Sequence, residues 1–279
     1  MSGKLLTIVI PSYNQGEYIE RTLLSVLSQK SEDVEVFVID GDSSDGAVEI
    51  IKAYADRLDY WVSEPDRGQS HAFNKGFKRA NGHYLTWVNS DDILLPGAID
   101  AFRKFAKGKD NLEWVAGHSA WVDVDDKLLR CTFNPGWSDF SARRGLLSVS
   151  GPASIFSKAI WQRVGGFDES LHYSMDTDLW YRFASRGAKY ELLNHHIWAL
   201  RIHPEAKVSG KDFSADQRVV EKIANERAQI QKKYGFKSPS LVEGVIAKML
   251  RLRRLAKLRS AYWTRKLKGC AYQELMKFS

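Results

Sequence analysis

Two groups of polar side chains stand just after apolar runs, where a chain can present them to a ligand, and a third stands at the start of a predicted helix. The run Leu5–Ile10 opens into Pro11-Ser12-Tyr13-Asn14. An aromatic face and a side-chain amide there could hold a nucleotide. The same residues could equally form a plain strand-to-helix turn capped by Asn14. The second group, Asn89-Ser90-Asp91-Asp92, follows the run His83–Val88. Adjacent carboxylates repel each other unless a cation sits with them, and Mg²⁺ or Mn²⁺ favours few carboxylates plus phosphate oxygens. An acidic pair capping a helix in a solvated loop is the other reading of these two residues. The third group centres on Asp176, in Ser174-Met175-Asp176-Thr177-Asp178. At the start of a helix such a carboxylate is favoured by the helix dipole. At a cleft it can also take a proton from a hydroxyl.

The elements that must position these groups are legible as periodicities. Leu5–Ile10 and Val34–Ile39 read as buried strands, Tyr60–Val62 as a short third and His83–Val88 as a fourth. Helical spacing links Tyr18, Ile19, Leu23, Val26 and Leu27, then Val48, Ile51 and Tyr54, then Gly68–Ala80, then Ile99, Phe102 and Phe105. Strands alternating with helices imply a mostly parallel sheet covered on both faces. Tyr13, Asn14, Asp40, Asp91 and Asp92 then fall at the carboxyl ends of its strands, where open α/β sheets bind ligands. Residues 113–160 suggest further strands in a mixed or antiparallel extension. A helix containing Leu179, Trp180 and Phe183 begins near Ser174, and Tyr190–Leu200 is strand-like again.

The chain has 279 residues, 44% hydrophobic and 27% charged, enough for a substantial core. Its two cysteines, Cys131 and Cys270, are far apart, which excludes a disulfide scaffold and a Cys-based zinc site. No apolar run is long enough to span a membrane, and no secretory signal is visible, so a cytoplasmic location is expected. A GxxxxGK[ST] loop and a GxGxxG turn after the first strand are both lacking, against a P-loop or dinucleotide enzyme. The formal charge of +7 is unevenly placed: residues 237–279 carry +9 and the rest −2. In that tail Leu241, Val245, Met249, Leu252, Leu255, Leu258 and Tyr262 recur every three or four residues between arginines and lysines. The pattern predicts a basic amphipathic helix suited to an anionic membrane surface or a partner, with nucleic acid disfavoured by the near-neutral body.

Taken together, TIVIPSYNQGEYIERTLLSVLSQ, VFVIDGDSSDGAVEII, SEPDRGQSHAFNKGFKRANGHYLTWVNSDDILLPGAI and VGGFDESLHYSMDTDLWYRFASRGAKY resemble the family 2 glycosyltransferases over roughly residues 4–205. These are inverting enzymes of the GT-A fold that use nucleotide-diphosphate sugars. The resemblance implies a GT-A-like α/β domain over residues 1–236, followed by the helical tail 237–279. It places Pro11, Tyr13 and Asn14 beside the nucleotide base, and gives Asp40 a base and ribose contact. Asp66 and Arg67 would close over the base. Asn89-Ser90-Asp91-Asp92 occupies the DxD position. Ser90 and Asp91 would therefore lie against the nucleotide, and Asp91 and Asp92 would hold Mn²⁺ or Mg²⁺, with Asp92 slightly preferred. Here the first DxD acid is replaced by Asn89. His203, in Arg201-Ile202-His203, matches a residue at the metal or diphosphate.

Asp176 falls on the family's catalytic base, and the Glu that usually precedes it is Met175. The implied reaction moves a sugar, most simply from a UDP carrier, to a hydroxyl of a glycan or lipid-linked acceptor in polysaccharide biosynthesis. A peripheral place on the inner face of the plasma membrane would follow from the tail. A nucleotidyltransferase would show a Gly-rich basic loop after the first strand, and Pro11–Gly16 has no basic residue.

Overall fold

β1 (Leu6–Ser12) is buried along its whole length and runs two residues beyond the apolar run that announces it. Pro11 is accommodated because the neighbouring β4 (Tyr84–Trp87) ends opposite Val9, so no ladder bond is lost on that side. The computed structural model describes residues 3–137, 149, 151–206, 217–235 and 255–278. β1 is flanked in parallel by β2 (Val34–Asp40) and β4, and β2 pairs in parallel with β3 (Tyr60–Ser63). The order continues from β4 through β8 (Ser154–Ser157), β6 (Trp114–Val122) and β9 (Tyr190–Arg201) to β5 (Ile93–Leu94). β7 (Leu128–Thr132) pairs with β6. The sheet is thus parallel through β3, β2, β1 and β4 and mixed beyond. Two runs that read as separate strands, around EWVAG and AWVDV, form the single strand β6.

Side-chain alternation sends Ile8 and Ile10 to one face and Val9 to the other. The first face is covered by α1 (Gly16–Leu27), α2 (Ala47–Ala53) and α4 (Ala98–Ala106), through Ile19, Leu23, Ile51 and Phe102. The second is covered by α3 (Gln69–Arg79), α5 (Lys158–Val164) and α6 (Met175–Ser185). Phe73, Phe77, Trp161, Trp180 and Phe183 fill it, with Trp180 stacked 5.1 Å from Trp114. α7 (Gln217–Lys233) adds Ile230 to the same cluster.

The sequence places a tail boundary at residue 237, and its apolar positions Leu241, Val245, Met249 and Leu252 lie outside the described residues. Its described end packs on the sheet. α8 (Leu255–Leu267) lies against β7, where Ser260 Oγ accepts from Phe133 N–H and Thr264 Oγ1 from Cys131 N–H, both at 3.1 Å. Leu267 and Leu275 join a core cluster with Val122, Leu128 and Cys131. Tyr262, expected on the apolar face, is 60% exposed. The docked face is set instead by the open edge of β7, whose N–H groups take the two hydroxyls. Among the described residues no helix is long and apolar enough to cross a membrane.

Candidate active site

A cavity of about 690 Å³ opens at the carboxyl ends of β1, β2 and β4. Pro11, Ser12 and Tyr13 line it from the end of β1, and Gly41 and Asp42 from the turn after β2. Pro65, Asp66, Gly68 and Gln69 line it from the loop after β3, Asn89, Ser90 and Asp91 from the loop after β4, and Glu205 from beyond β9. Tyr13 is 62% exposed and presents a ring to this space.

Three residues expected at the nucleotide, Asp40, Asn14 and Arg67, do not line the cavity. Asp40 is fully buried, and its carboxylate accepts from Ser43 N–H at 2.9 Å, Ser43 Oγ at 2.6 Å and Ser63 Oγ at 2.7 Å. It therefore pins the turn after β2 to β3, and Asp42, at φ 70°, lines the cavity from that turn. Asn14 likewise takes Ser44 N–H on its Oδ1 at 2.9 Å while its own N–H donates to Ser43 Oγ at 2.8 Å. It joins the turns after β1 and β2. It does not cap α1, whose N-cap residue is Gln15.

Asp66 lines the cavity, and its Oδ1 accepts from Gly68 N–H at 2.7 Å, closing a tight turn. The Arg67 guanidinium turns away from the cavity lining and pairs with Glu169.

The acidic loop after β4 splits its two carboxylates. Asp91 faces the cavity, and its Oδ2 stands 3.2 Å from His203 Nε2. Asp92 points into the core, fully buried, and accepts from Asn89 Nδ2 at 2.8 Å and Arg201 N–H at 3.1 Å. Burial first, then the charge of Asp91, pushes the Asp92 carboxyl well above the usual carboxylate range. Asn89 suits this arrangement better than an acid would. Its amide donates to Asp92 and its Oδ1 accepts from Gln69 Nε2 at 2.8 Å. A carboxylate there would repel the buried acid. Beneath the loop the fully buried Arg201 donates from Nη1 to the Asp91 carbonyl at 2.6 Å and from Nη2 to Asp126 at 2.7 Å.

His203 is buried, its ring 4.1 Å from that of Tyr18, and its Nδ1 has no hydrogen-bond partner among the described residues. Two lone-pair donors 3.2 Å apart fit neighbouring positions on one divalent ion: perpendicular bonds of about 2.1 Å put such donors about 3.0 Å apart. Among the described residues no cluster of three or more His, Cys, Asp and Glu side chains could hold a metal. Any ion at Asp91 and His203 would therefore take further oxygens from its ligand and from water. His195 and His196, which carry no motif in the sequence, do not line the cavity, and burial lowers His196 to about 3.

Asp176 sits in the first turn of α6 and is not on the cavity lining. Its Oδ1 accepts from Thr177 N–H at 2.6 Å, one of the amides that no helical carbonyl can reach. Its Oδ2 faces Gly151, where an added Cβ would stand 2.8 Å from that oxygen. Burial raises its pKa above 3.8, and the Thr177 donors and Arg227 oppose that rise. The sequence offered no signal for Gln69 or Asp42, because each reads as an ordinary loop residue, and it marked Arg201 only as part of the Arg201-Ile202-His203 segment, with no role of its own.

A family model described as Glycosyl transferase family 2 matches residues 7–125. An uncharacterized glycosyltransferase of Rickettsia typhi is 27% identical over 194 residues, covering 67% of this chain and 60% of its own length. Chondroitin synthase of Pasteurella multocida is 30% identical over 203 residues, 71% of this chain and 21% of its own. The chain thus spans 60% of the first of these relatives and 21% of the second. Among solved structures, S. aureus TarS residues 1–349 in complex with UDP-GlcNAc superposes with a TM-score of 0.58 at 18% identity. That match covers 82% of this chain and 71% of that one. The mannosyltransferase PcManGT of Pyrobaculum calidifontis, in complex with GDP-Man and Mn²⁺, superposes with a TM-score of 0.55 at 16% identity, covering 96% and 84%. With the sheet order and the acidic loop after β4 in place, the two superpositions give the chain the GT-A fold, and residues 7–125 match glycosyltransferase family 2.

Proposed function

We propose that the protein is a metal-dependent inverting glycosyltransferase that moves a sugar from a UDP-linked donor to a hydroxyl of a glycan or lipid-linked acceptor. The cavity carries this reading. It lies at the strand ends, has the Tyr13 ring and Asp66 in its wall, and has the Asp91–His203 pair on one side. TarS, solved with UDP-GlcNAc, and PcManGT, solved with GDP-Man and Mn²⁺, support a nucleotide sugar as the ligand.

In this reading Pro11, Tyr13 and Asp66 meet the base and Ser90 the diphosphate, with Arg67 swinging in from Glu169 as the donor binds. Asp40 and Asn14 keep a supporting role in shaping the turns. Asp91 and His203 would hold Mn²⁺ or Mg²⁺, and Asp92 braces the loop from within the core. A bound divalent ion supplies neutralisation of the charge that develops on the departing diphosphate. Asp176 accepts the proton of the acceptor hydroxyl. A single base and in-line attack suffice to invert the anomeric centre, with no covalent intermediate.

The test is a panel of UDP-, GDP- and dTDP-sugars with Mn²⁺ or Mg²⁺, read by released nucleotide. Release from at least one donor, abolished by a chelator, is expected. No release from any donor would count against the reading.

The described tail exposes Arg259, Arg265, Lys266 and Lys268. With the rest of the +9 segment they would hold the enzyme on an anionic membrane, where lipid-linked acceptors reside. Each basic residue at such a surface contributes about 1 kcal/mol, screened by salt. Sedimentation with phosphatidylserine vesicles should therefore decline between low and high salt. Equal sedimentation with neutral vesicles would contradict this attachment.

A further inference from the structure

Helix α7 lies outside the segment matched by the family model, yet it grips the helix that carries Asp176. Its Glu226 accepts three consecutive backbone N–H groups. His172 donates to Oε1 at 2.8 Å, and Tyr173 and Ser174 donate to Oε2 at 2.9 and 2.8 Å. These residues lead directly into α6, where the first amides have no helical acceptor and the Ser174 side chain makes no cap. Glu226 takes the first of these, Ser174 N–H, and the two amides before it from a separate helix, through charge-assisted bonds. A second grip lies two residues beyond Asp176. The buried Asp178 accepts from Lys233 Nζ at 2.8 Å and the Tyr234 hydroxyl at 2.9 Å, at the end of α7, and from Arg182 Nε at 2.7 Å.

The clamped turn also touches the cavity rim. Ser70 Oγ donates to the Leu171 carbonyl at 2.9 Å. A side chain on Gly68, which lines the cavity at φ 107°, would meet the His172 ring at 3.3 Å. One short segment, 171–176, is therefore held by the rim on one side and by Glu226 on the other, and it ends in Asp176.

We propose that Glu226 is a positioning residue: its carboxylate fixes the 172–174 turn and thereby the placing of Asp176 relative to the cavity. The role assigned to Asp176 rests on the proposed function, whereas the clamp itself does not. A carboxylate is required because both oxygens accept. An amide at this position keeps one acceptor and turns its NH₂ group against a backbone N–H.

The experiment compares wild type with Glu226→Gln, Glu226→Ala and, as a control, Glu221→Gln at an exposed position of the same helix. Hydrogen exchange is followed on peptides covering 171–176, together with kcat and KM for the nucleotide sugar. Exchange at 172–174 should speed up about tenfold or more in Glu226→Ala, since hydrogen bonds to a charged group contribute at least tenfold each. Glu226→Gln should lie between Ala and wild type, and Glu221→Gln should match wild type. In the same order kcat should fall, with donor KM unchanged, because the donor's contacts lie on the other side of the rim.

Unchanged exchange at 172–174, or faster exchange with kcat retained, would overturn the proposal. So would a rise in donor KM equal to the loss in kcat. A wild-type enzyme that turns over no nucleotide sugar would count against the proposed function instead, and exchange at 172–174 would then decide the clamp by itself.

Discussion

Asp176→Asn should lower the rate of sugar transfer by about 10²–10⁴-fold, the usual worth of a general base, with nucleotide and metal affinity near wild type. The amide keeps the size and the hydrogen bond from Thr177 N–H but cannot take a proton. The rate also carries the sign of the pKa shift. Burial raises the Asp176 pKa, so wild-type transfer should fall as pH is lowered through a value above the ordinary carboxylate range. Folding responds in the opposite sense. A carboxyl whose pKa is raised in the folded state contributes stability that is present below its unfolded pKa and lost as pH rises through the folded one. At neutral pH, above its unfolded pKa, the wild type therefore bears the cost of burying this carboxyl, and Asp176→Asn should be at least as stable as wild type. Were Asp176 only a helix cap, rate and stability would both survive, since Asn caps about as well as Asp. Measuring transfer, nucleotide affinity and thermal unfolding on this one variant separates the two roles.

Asp91→Ala and Asp92→Ala should fail in different ways. Asp91 faces the cavity, and among the described residues its carboxylate has His203 as its one partner, so its removal should leave the fold in place. It should lower metal-dependent turnover on the order of 10³-fold, as expected for several kcal/mol of lost charge stabilisation. Asp92→Ala strands the buried Arg201 N–H and takes the acceptor from the half-buried Asn89 amide. Each unpaired buried group costs about 1–3 kcal/mol, so this variant should unfold at markedly lower denaturant. Turnover by folded Asp92→Ala should exceed that of Asp91→Ala. Equal turnover and equal stability of the two variants would contradict the division of labour between them.

The same pair shows where sequence reading stops. Apolar runs that end in polar residues mark β1, β2 and β4 and the ligand edge of the sheet, because a buried strand must be apolar on both faces. They do not say which of two adjacent acids turns outward. Asp91 and Asp92 lie in the turn between β4 and β5, where no strand alternation fixes which of them turns inward. Only the bonds from Asn89 and Arg201 show that Asp92 goes inward.

Asp40 is a similar case. Its place at a strand end is legible, but its three partners, supplied by Ser43 and Ser63, come from the next turn and the next strand. Helical spacing is legible as well in the part of the tail that α8 covers, Leu255–Leu267. Its docking is not, because β7 must first present an open edge for Ser260 and Thr264. Glu226 sits among charged residues on an amphipathic helix and reads there as a solvated side chain. Its three amide partners lie more than 50 positions earlier in the chain.

The central claim is that the strand-end cavity binds a nucleoside diphosphate through a divalent ion held at Asp91 and His203. Calorimetric titration of UDP and GDP into the protein, with Mn²⁺ and with a chelator, on wild type and Asp91→Ala, tests it most directly. Binding of at least one nucleotide to wild type in Mn²⁺, lost in chelator and in Asp91→Ala, is the predicted result. Binding of equal strength in all three conditions, or no binding of either nucleotide by wild type in Mn²⁺, would contradict it.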